Sequence, residues 1–108
     1  MSEYEIDNAG NKHWYKNGKL HRVDGPAIEY SDGSKEWYQN GELHRDDGPA
    51  VVWADGSKFW FIDDKRHRDD GPAVVWSTGT KEWWLNGKKY IQEEFVLLQF
   101  SKGMIINE

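Results

Sequence analysis

Short runs of apolar residues alternate with polar turns along the middle of this chain, and the runs recur. Ala50-Val51-Val52-Trp53 and Lys58-Phe59-Trp60-Phe61-Ile62 are rich in β-branched and aromatic residues, with Asp55-Gly56 between them. Such runs read as two short strands. An Asp-Gly pair between strands signals a two-residue hairpin turn, since both central positions of a type I′ turn need φ > 0. That loop sets Trp53 opposite Lys58 and Val51 opposite Trp60. By the same rule Tyr30 faces Lys35, Ile28 faces Trp37, Trp76 faces Lys81 and Val74 faces Trp83. One sheet face then carries an aromatic, aliphatic and Lys-stem stripe, with Lys-over-aromatic contacts worth ~0.5–1 kcal/mol where exposed. The opposite face carries Glu29, Val52 and Val75 together with Glu36, Phe59 and Glu82, and Tyr38, Phe61 and Trp84 point the same way.

The hairpin is one copy of a repeat. His-Arg stands at His21-Arg22, His44-Arg45 and His67-Arg68, and Gly-Pro-Ala at Gly25-Pro26-Ala27, Gly48-Pro49-Ala50 and Gly71-Pro72-Ala73. Lys-x-Trp follows at Lys35, Lys58 and Lys81, then Asn40-Gly41, Asp63-Asp64 and Asn86-Gly87. Every offset is 23 residues, without insertion. Gly10, Lys12, Trp14, Asn17-Gly18 and His21 fall in the same phase. The reading is a single repeat domain over 1–108. An array of three full units and a leading half spans 9–90, preceded by a lead-in over 1–8 and followed by a helix and tail over 91–108. Each unit buries its apolar side against its neighbours. Within the segment from Asn40 to Pro49, Pro49 starts or edges a strand, but how the corner pairs does not follow from the sequence.

Ile91-Gln-Glu-Glu-Phe95-Val-Leu-Leu-Gln-Phe100 changes period. Ile91, Phe95 and Leu98 fall on one side, acids fill the first turn, and Gly103 closes the segment, which predicts one amphipathic helix. Its expected role is a cap on the open end of the sheet; the alternative is a dimerisation or partner helix.

Composition narrows the chemistry. The chain has 108 residues, no cysteine and a net charge of −5. Disulfides, thiolate metal sites and cysteine nucleophiles are excluded. The negative charge argues against direct nucleic-acid binding and against anionic membranes. No window approaches a membrane span and the start does not read as a secretion signal, so the expected location is cytoplasmic. Seven Trp, five Tyr and four Phe make either a core of a few large side chains or an aromatic surface for a partner.

The repeated polar residues form ladders rather than one constellation. Equivalent residues in a regular stack are ~10 Å apart, whereas ligands of one zinc ion lie within about 4 Å of each other. His21, His44 and His67 therefore do not share a metal and are expected to bond the corner between units. Arg22, Arg45 and Arg68 are expected to pair with the neighbouring aspartates. Paired catalytic carboxylates need two different environments, and a repeat supplies the same one each time. No nucleophile elbow, phosphate-cradling loop or His-Glu-x-x-His occurs. The reading is a non-catalytic protein without cofactor or metal.

The period, with Asn17-Gly18-Lys19-Leu20-His21 and then Tyr30-x-Asp32-Gly33, resembles the MORN repeat. Asn40-Gly41-x-x-His44 with Trp53-x-Asp55-Gly56 matches a second time. Asp63-Asp64 departs from the pattern, and Arg stands at 22, 45 and 68 where that family has Gly. The longer string His-Arg-x-Asp-Gly-Pro-Ala is similar to repeats in small proteins of tailed bacteriophages and giant viruses. The resemblance implies an elongated antiparallel sheet of hairpins, and roles in scaffolding, dimerisation or lipid association. The leading functional expectation is a protein-binding module, with a homodimer as one form and, for a viral protein, inhibition of a host protein. The alternatives are an acidic nucleic-acid mimic that blocks a nuclease or defence complex, and a lipid-surface binder. Candidate contact residues are Tyr38, Phe59, Phe61 and Trp84 on the sheet, and Asp46, Asp47, Asp69 and Asp70 at the corners.

Overall fold

Asn17, Asn40, Asp63 and Asn86 stand in the left-handed region, at φ of 53°, 51°, 49° and 50°, and the residue after each does too. Two successive left-handed residues define a type I′ turn. In the computed structural model, which describes residues 3–104, these four turns mark one end of every repeat unit. At the other end Asp55 is not left-handed and Gly56 is, at φ 96°. Trp53 N–H donates to Ser57 O at 2.9 Å, and Gly56 N–H to Trp53 O at 3.0 Å. The Asp55 carboxylate takes the Ser57 N–H at 2.8 Å. This is a three-residue loop closed by a left-handed glycine, not the two-residue turn expected.

One extra loop residue moves the register by one and exchanges faces. Val51 lies opposite Phe59 and Val52 opposite Lys58. Likewise Ile28 faces Glu36, and Val74 faces Glu82. The expected Val51–Trp60, Ile28–Trp37 and Val74–Trp83 pairs are therefore corrected. Phe59 joins Val51 and Val74 in a buried cluster, with Leu43, Phe61, Trp76 and Trp84 packed against it.

The fold is mainly β, an elongated antiparallel ladder of hairpins measuring 46 × 29 × 19 Å. The strands are β1 (Glu3–Ile6), β2 (Lys12–Lys16), β3 (Lys19–Leu20), β4 (Ile28–Glu29), β5 (Lys35–Glu36), β6 (Tyr38–Gln39), β7 (Glu42–Leu43), β8 (Val51–Val52), β9 (Lys58–Phe59), β10 (Phe61–Ile62), β11 (Lys65–Arg66), β12 (Val74–Val75), β13 (Lys81–Leu85) and β14 (Lys88–Tyr90). The main sheet runs β1-β2-β4-β5-β8-β9-β12-β13-β14, with β3 on β2; β6–β7 and β10–β11 are separate hairpins across the type I′ turns. β1 belongs to this scheme. Glu5 pairs with His13 and Ile6 with Lys12, the same register 23 residues upstream of Ile28–Glu36 and Glu29–Lys35. Asp7 and Asn11 close the same loop as Tyr30 and Ser34. The array thus already includes β1, within the segment read as a lead-in.

Neighbouring units are joined at both ends. At the three-residue loops the side chains of Asn11, Ser34 and Ser57 accept the N–H of Ser31, Ala54 and Ser77, at 2.8, 2.9 and 2.9 Å. Ser57 is fully buried, so losing its hydroxyl would orphan a donor at about 1–3 kcal/mol. At the type I′ turns, Gly41, Asp64 and Gly87 donate to Leu20, Leu43 and Arg66 carbonyls at 2.8–2.9 Å. The Nδ1 atoms of His21 and His67 accept the N–H of Asn40 and Asn86, and His44 Nδ1 meets Asp63 through both its carboxylate, at 3.0 Å, and its N–H, at 3.2 Å. The histidines bond adjacent units, as the spacing predicts.

Helix α1 (Gln92–Ser101) follows β14. Met104 N–H reaches Gln99 O and Gly103 N–H reaches Phe100 O, the two bonds of a Schellman close, with Gly103 at φ 77°. It packs on β13. The buried residues are Phe95 and Gln99, whereas Ile91 and Leu98 are exposed. The expected Ile91–Phe95–Leu98 stripe is replaced by an i, i+4 pair whose amide Nε2 donates to Asp69 O at 2.9 Å.

Candidate functional site: two faces of one sheet

The register sorts the side chains into two surfaces. On the first, Tyr30, Trp53 and Trp76 form one row and Tyr38, Phe61 and Trp84 another, with Glu36, Phe59 and Glu82 between them. The units fill this frame differently. Glu36 accepts from the Tyr30 hydroxyl at 3.1 Å and the Tyr38 hydroxyl at 2.8 Å. Glu82 accepts from the Trp76 indole at 3.3 Å and the Trp84 indole at 2.9 Å. Between these two carboxylate clamps the middle unit is apolar. Phe59 lies 4.7 Å from the Trp53 ring and 5.1 Å from Trp76, and Trp53 lies 5.7 Å from Trp76. Such tilted and edge contacts suit the ring quadrupoles. Arg66 stands 5.0 Å over Trp84 and 5.7 Å over Phe61.

Burial and the Glu36 carboxylate push the Tyr30 phenol up to about 12, and the same two causes raise Tyr38 further. Burial pushes Glu82 up, but the two indole donors bring its carboxyl below the usual range. A raised tyrosine favours the neutral phenol in the folded state. That stability is complete below the ordinary tyrosine value near 10 and is lost as pH climbs from 10 towards 12. Denaturant midpoints measured across this range should fall. The Glu36→Gln variant, lacking the charge, should show phenolate absorbance at lower pH. A flat midpoint and an unchanged phenolate titration would contradict the Tyr–Glu36–Tyr clamp.

The second surface carries the corners. The guanidinium groups of Arg22, Arg45 and Arg68 lie 3.9, 3.9 and 4.1 Å over Trp14, Trp37 and Trp60. Each donates through Nε to Asp24, Asp47 or Asp70 at 2.9–3.0 Å and through Nη1 to the carbonyl of Pro26, Pro49 or Pro72 at 3.1–3.2 Å. The cation–π contacts that recur in every unit are therefore made by the corner arginines, not by the hairpin lysines. At the first two corners the guanidinium comes close to the glycine before the proline: a Cβ on Gly25 or Gly48 would sit 2.9 Å from Arg22 Cζ or Arg45 Cζ. Nε2 of His44 and His67 donates to Asp46 and Asp69 at 3.0 Å. His67 Nδ1 accepts a backbone N–H, which places its proton on Nε2.

Asp46, Asp47, Asp69 and Asp70 line one open cleft of about 640 Å³, with Arg45, Arg68, His67, Trp60 and Ile62. Tyr38, Phe61 and Trp84 lie on the opposite face, partly exposed. Phe59 is 5% exposed and belongs to the core rather than to a contact surface. The candidates thus fall into two separate sets. The sequence reading missed Tyr30, Trp53 and Trp76 as members of the aromatic face, because it placed them across the sheet. It also missed Leu97 and Phe100, 71% and 75% exposed on α1. Among the described residues no three His, Asp or Glu side chains are grouped to hold a metal ion, and no helix is long and apolar enough to cross a membrane. No protein-family model, curated protein or solved structure matches the chain.

Proposed function

We propose that the protein is a non-catalytic binding module whose aromatic sheet face receives a protein partner. The observation that carries this reading is the arrangement of Trp53, Trp76, Phe61 and Trp84 around the Phe59 core. Trp53 remains 42% exposed at the centre of the array, and helix α1 is tied to a corner, where Gln99 Nε2 donates to Asp69 O at 2.9 Å. Rigid aromatics at the centre of a surface are the residues that dominate protein interfaces. The repeat geometry holds them in line without further ordering, which lowers the cost of association.

A second reading, an acidic surface that occupies a nucleic-acid site, draws on the four carboxylates of the corner cleft. Asp46, Asp47, Asp69 and Asp70 are each bonded to a His or Arg of their own unit, so their charge is partly answered within the fold. For a viral protein, either reading makes the partner a host protein that is inhibited.

The test starts from a partner recovered from lysate and purified. Trp53→Ser and Trp84→Ser should each weaken the complex by about 30-fold or more, the mark of a hot spot, in variants that still melt cooperatively. Asp46→Asn with Asp69→Asn should leave affinity within a few-fold. Salt-sensitive binding that the Asn variants abolish and the Ser variants spare would overturn the aromatic-face reading, as would pelleting with anionic vesicles in place of any protein complex.

A further inference from the structure

The lysines of the Lys-x-Trp motif form a row of their own. Lys35 lies opposite Val52, and Val52 opposite Lys58. Lys58 lies opposite Val75, and Val75 opposite Lys81. Residues directly opposite one another across antiparallel strands share a face. The row therefore crosses β5, β8, β9, β12 and β13, which are neighbours in the main sheet, on the surface that carries the corners. Glu29 and Lys12 continue it by one more unit, and Arg22 Nη1 holds the Glu29 carboxylate at 3.0 Å. All four lysines are exposed, while Val52 and Val75 are half-buried between them. The ion pairs among the described residues are made by arginine and histidine. The acids of the adjoining loops are turned inward, since Asp32 and Asp55 accept N–H groups of their own loops. A chain of net charge −5 thus carries a cationic row on an apolar floor. The sheet fixes its spacing. Strands lie 4.7–4.9 Å apart, so lysines two strands apart recur at about 9.4–9.8 Å.

We propose that this row is a second docking surface, and that it receives a protein segment in the polyproline II conformation with an acidic residue at every third position. The charge of the row selects the acids, and its spacing selects the conformation. Polyproline II completes a turn in three residues with a rise of 3.1 Å, so every third side chain points the same way at intervals of about 9.3 Å. Over the two intervals from Lys35 to Lys81 the two periods drift apart by no more than about 1 Å. The flexible four-carbon lysine stem spans that difference and takes up the twist between strands. An extended strand presents same-side residues about every 6.6–6.8 Å, and one strand of duplex DNA carries a phosphate about every 3.4 Å along its axis. Neither keeps step with the lysines. The residues between the acids, proline above all, lie over Val52 and Val75. Such a segment is ordered before it binds, which lowers the cost of docking. It runs across the strands on the side of the sheet away from Trp53 and Trp84, so both surfaces can be filled at once.

The test uses two capped, dye-labelled peptides of the same composition. One is four copies of Glu-Pro-Pro, with an acid at every third position; the other bunches its four glutamates at every second position and ends in a run of proline. Binding to the whole chain is followed by fluorescence anisotropy at low and at moderate salt. The first peptide should bind about three- to thirtyfold more tightly than the second, the worth of two exposed ion pairs kept in register, and its affinity should fall as salt rises. Lys35→Gln with Lys58→Gln should weaken it by a similar factor without lowering the melting midpoint, because both side chains are exposed. Trp53→Ser should leave it unchanged, which separates this surface from the aromatic face. Equal affinity for the two peptides would mean that charge acts without spacing and would overturn the proposal. So would a lack of binding at low salt, or binding that Trp53→Ser abolishes. Heparin bound more tightly than the first peptide, and lost in the same lysine variant, would assign the row to an anionic polysaccharide instead.

Discussion

Replacing Phe59 by alanine should cost about 3–5 kcal/mol, the usual range for a large aromatic removed from a packed core, and so a large part of the about 5–15 kcal/mol that holds a domain folded. Phe59 is opposite both Val51 and Val74, and the Trp53 and Trp76 rings rest on it. It is the residue through which the second and third units share a core, so its loss strikes the nearest-neighbour term that holds a repeat array together. Phe59→Glu should cost at least as much, although glutamate occupies the same position in the units on either side. Glu36 and Glu82 each have two donors, whereas a glutamate at 59 meets only the Trp53 indole, because Phe61 has no donor to give. Adding Phe61→Trp recreates the Trp76–Glu82–Trp84 arrangement and should recover about 1.5–3 kcal/mol, the worth of a hydrogen bond to a charged group. Denaturant melts of the four proteins at constant m-value check the series. A double variant no more stable than Phe59→Glu would show that the clamps in the outer units do not carry energy.

The period was legible because it is written in the turn residues, and turn residues are selected by backbone geometry rather than by packing. The register was not. Asp55-Gly56 says where the chain reverses but not how many residues the loop holds. The structure sets it at three, with the N–H of Trp53 on Ser57 O, the N–H of Gly56 on Trp53 O and only Gly56 left-handed, and the same loop forms around Thr78, which has no carboxylate. One residue of error set Phe59 across the sheet from Val51 and Trp53, and so left Tyr30, Trp53 and Trp76 out of the aromatic face. The first strand was hidden for a different reason. Asp7 stands in the tyrosine phase, where its carboxylate takes the Ala9 and Asn11 N–H groups and is drawn down to about 2, chiefly by the backbone bond from Asn11. Glu5 likewise stands in the isoleucine phase. The fold tolerates both because the β1 edge buries little. The helix was legible in its acids and in Gly103, but its docking face was not: Gln99 docks by its amide to Asp69 O, and hydropathy cannot see a hydrogen bond to a backbone carbonyl.

The corner motif was the part least readable in advance, and it carries the second large effect. Arg45 makes three contacts at once: the Trp37 face, the Asp47 carboxylate and the Pro49 carbonyl. A planar, forked cation can satisfy all three, while an ammonium supplies a single point of charge. Arg45→Lys and Arg45→Ala should therefore both destabilise, by about 2–4 kcal/mol from the lost charged hydrogen bonds and cation–π contact. Gly48→Ala should cost a comparable amount in the parent chain. Its φ is not in the left-handed region, so alanine is allowed by the backbone, and the penalty comes from the Cβ that meets Arg45 Cζ at 2.9 Å. With Arg45→Ala already in place, that collision is gone. Gly48→Ala should then be neutral, or stabilising by about 0.4–1 kcal/mol through the stiffer unfolded chain. The double-mutant cycle should thus show a coupling of more than about 1 kcal/mol, well outside the additivity of independent sites. Additive costs would mean that Gly48 answers to some other constraint, and that the arginine, tryptophan and Asp-Gly-Pro corner is not the single packed unit that repeats along the array.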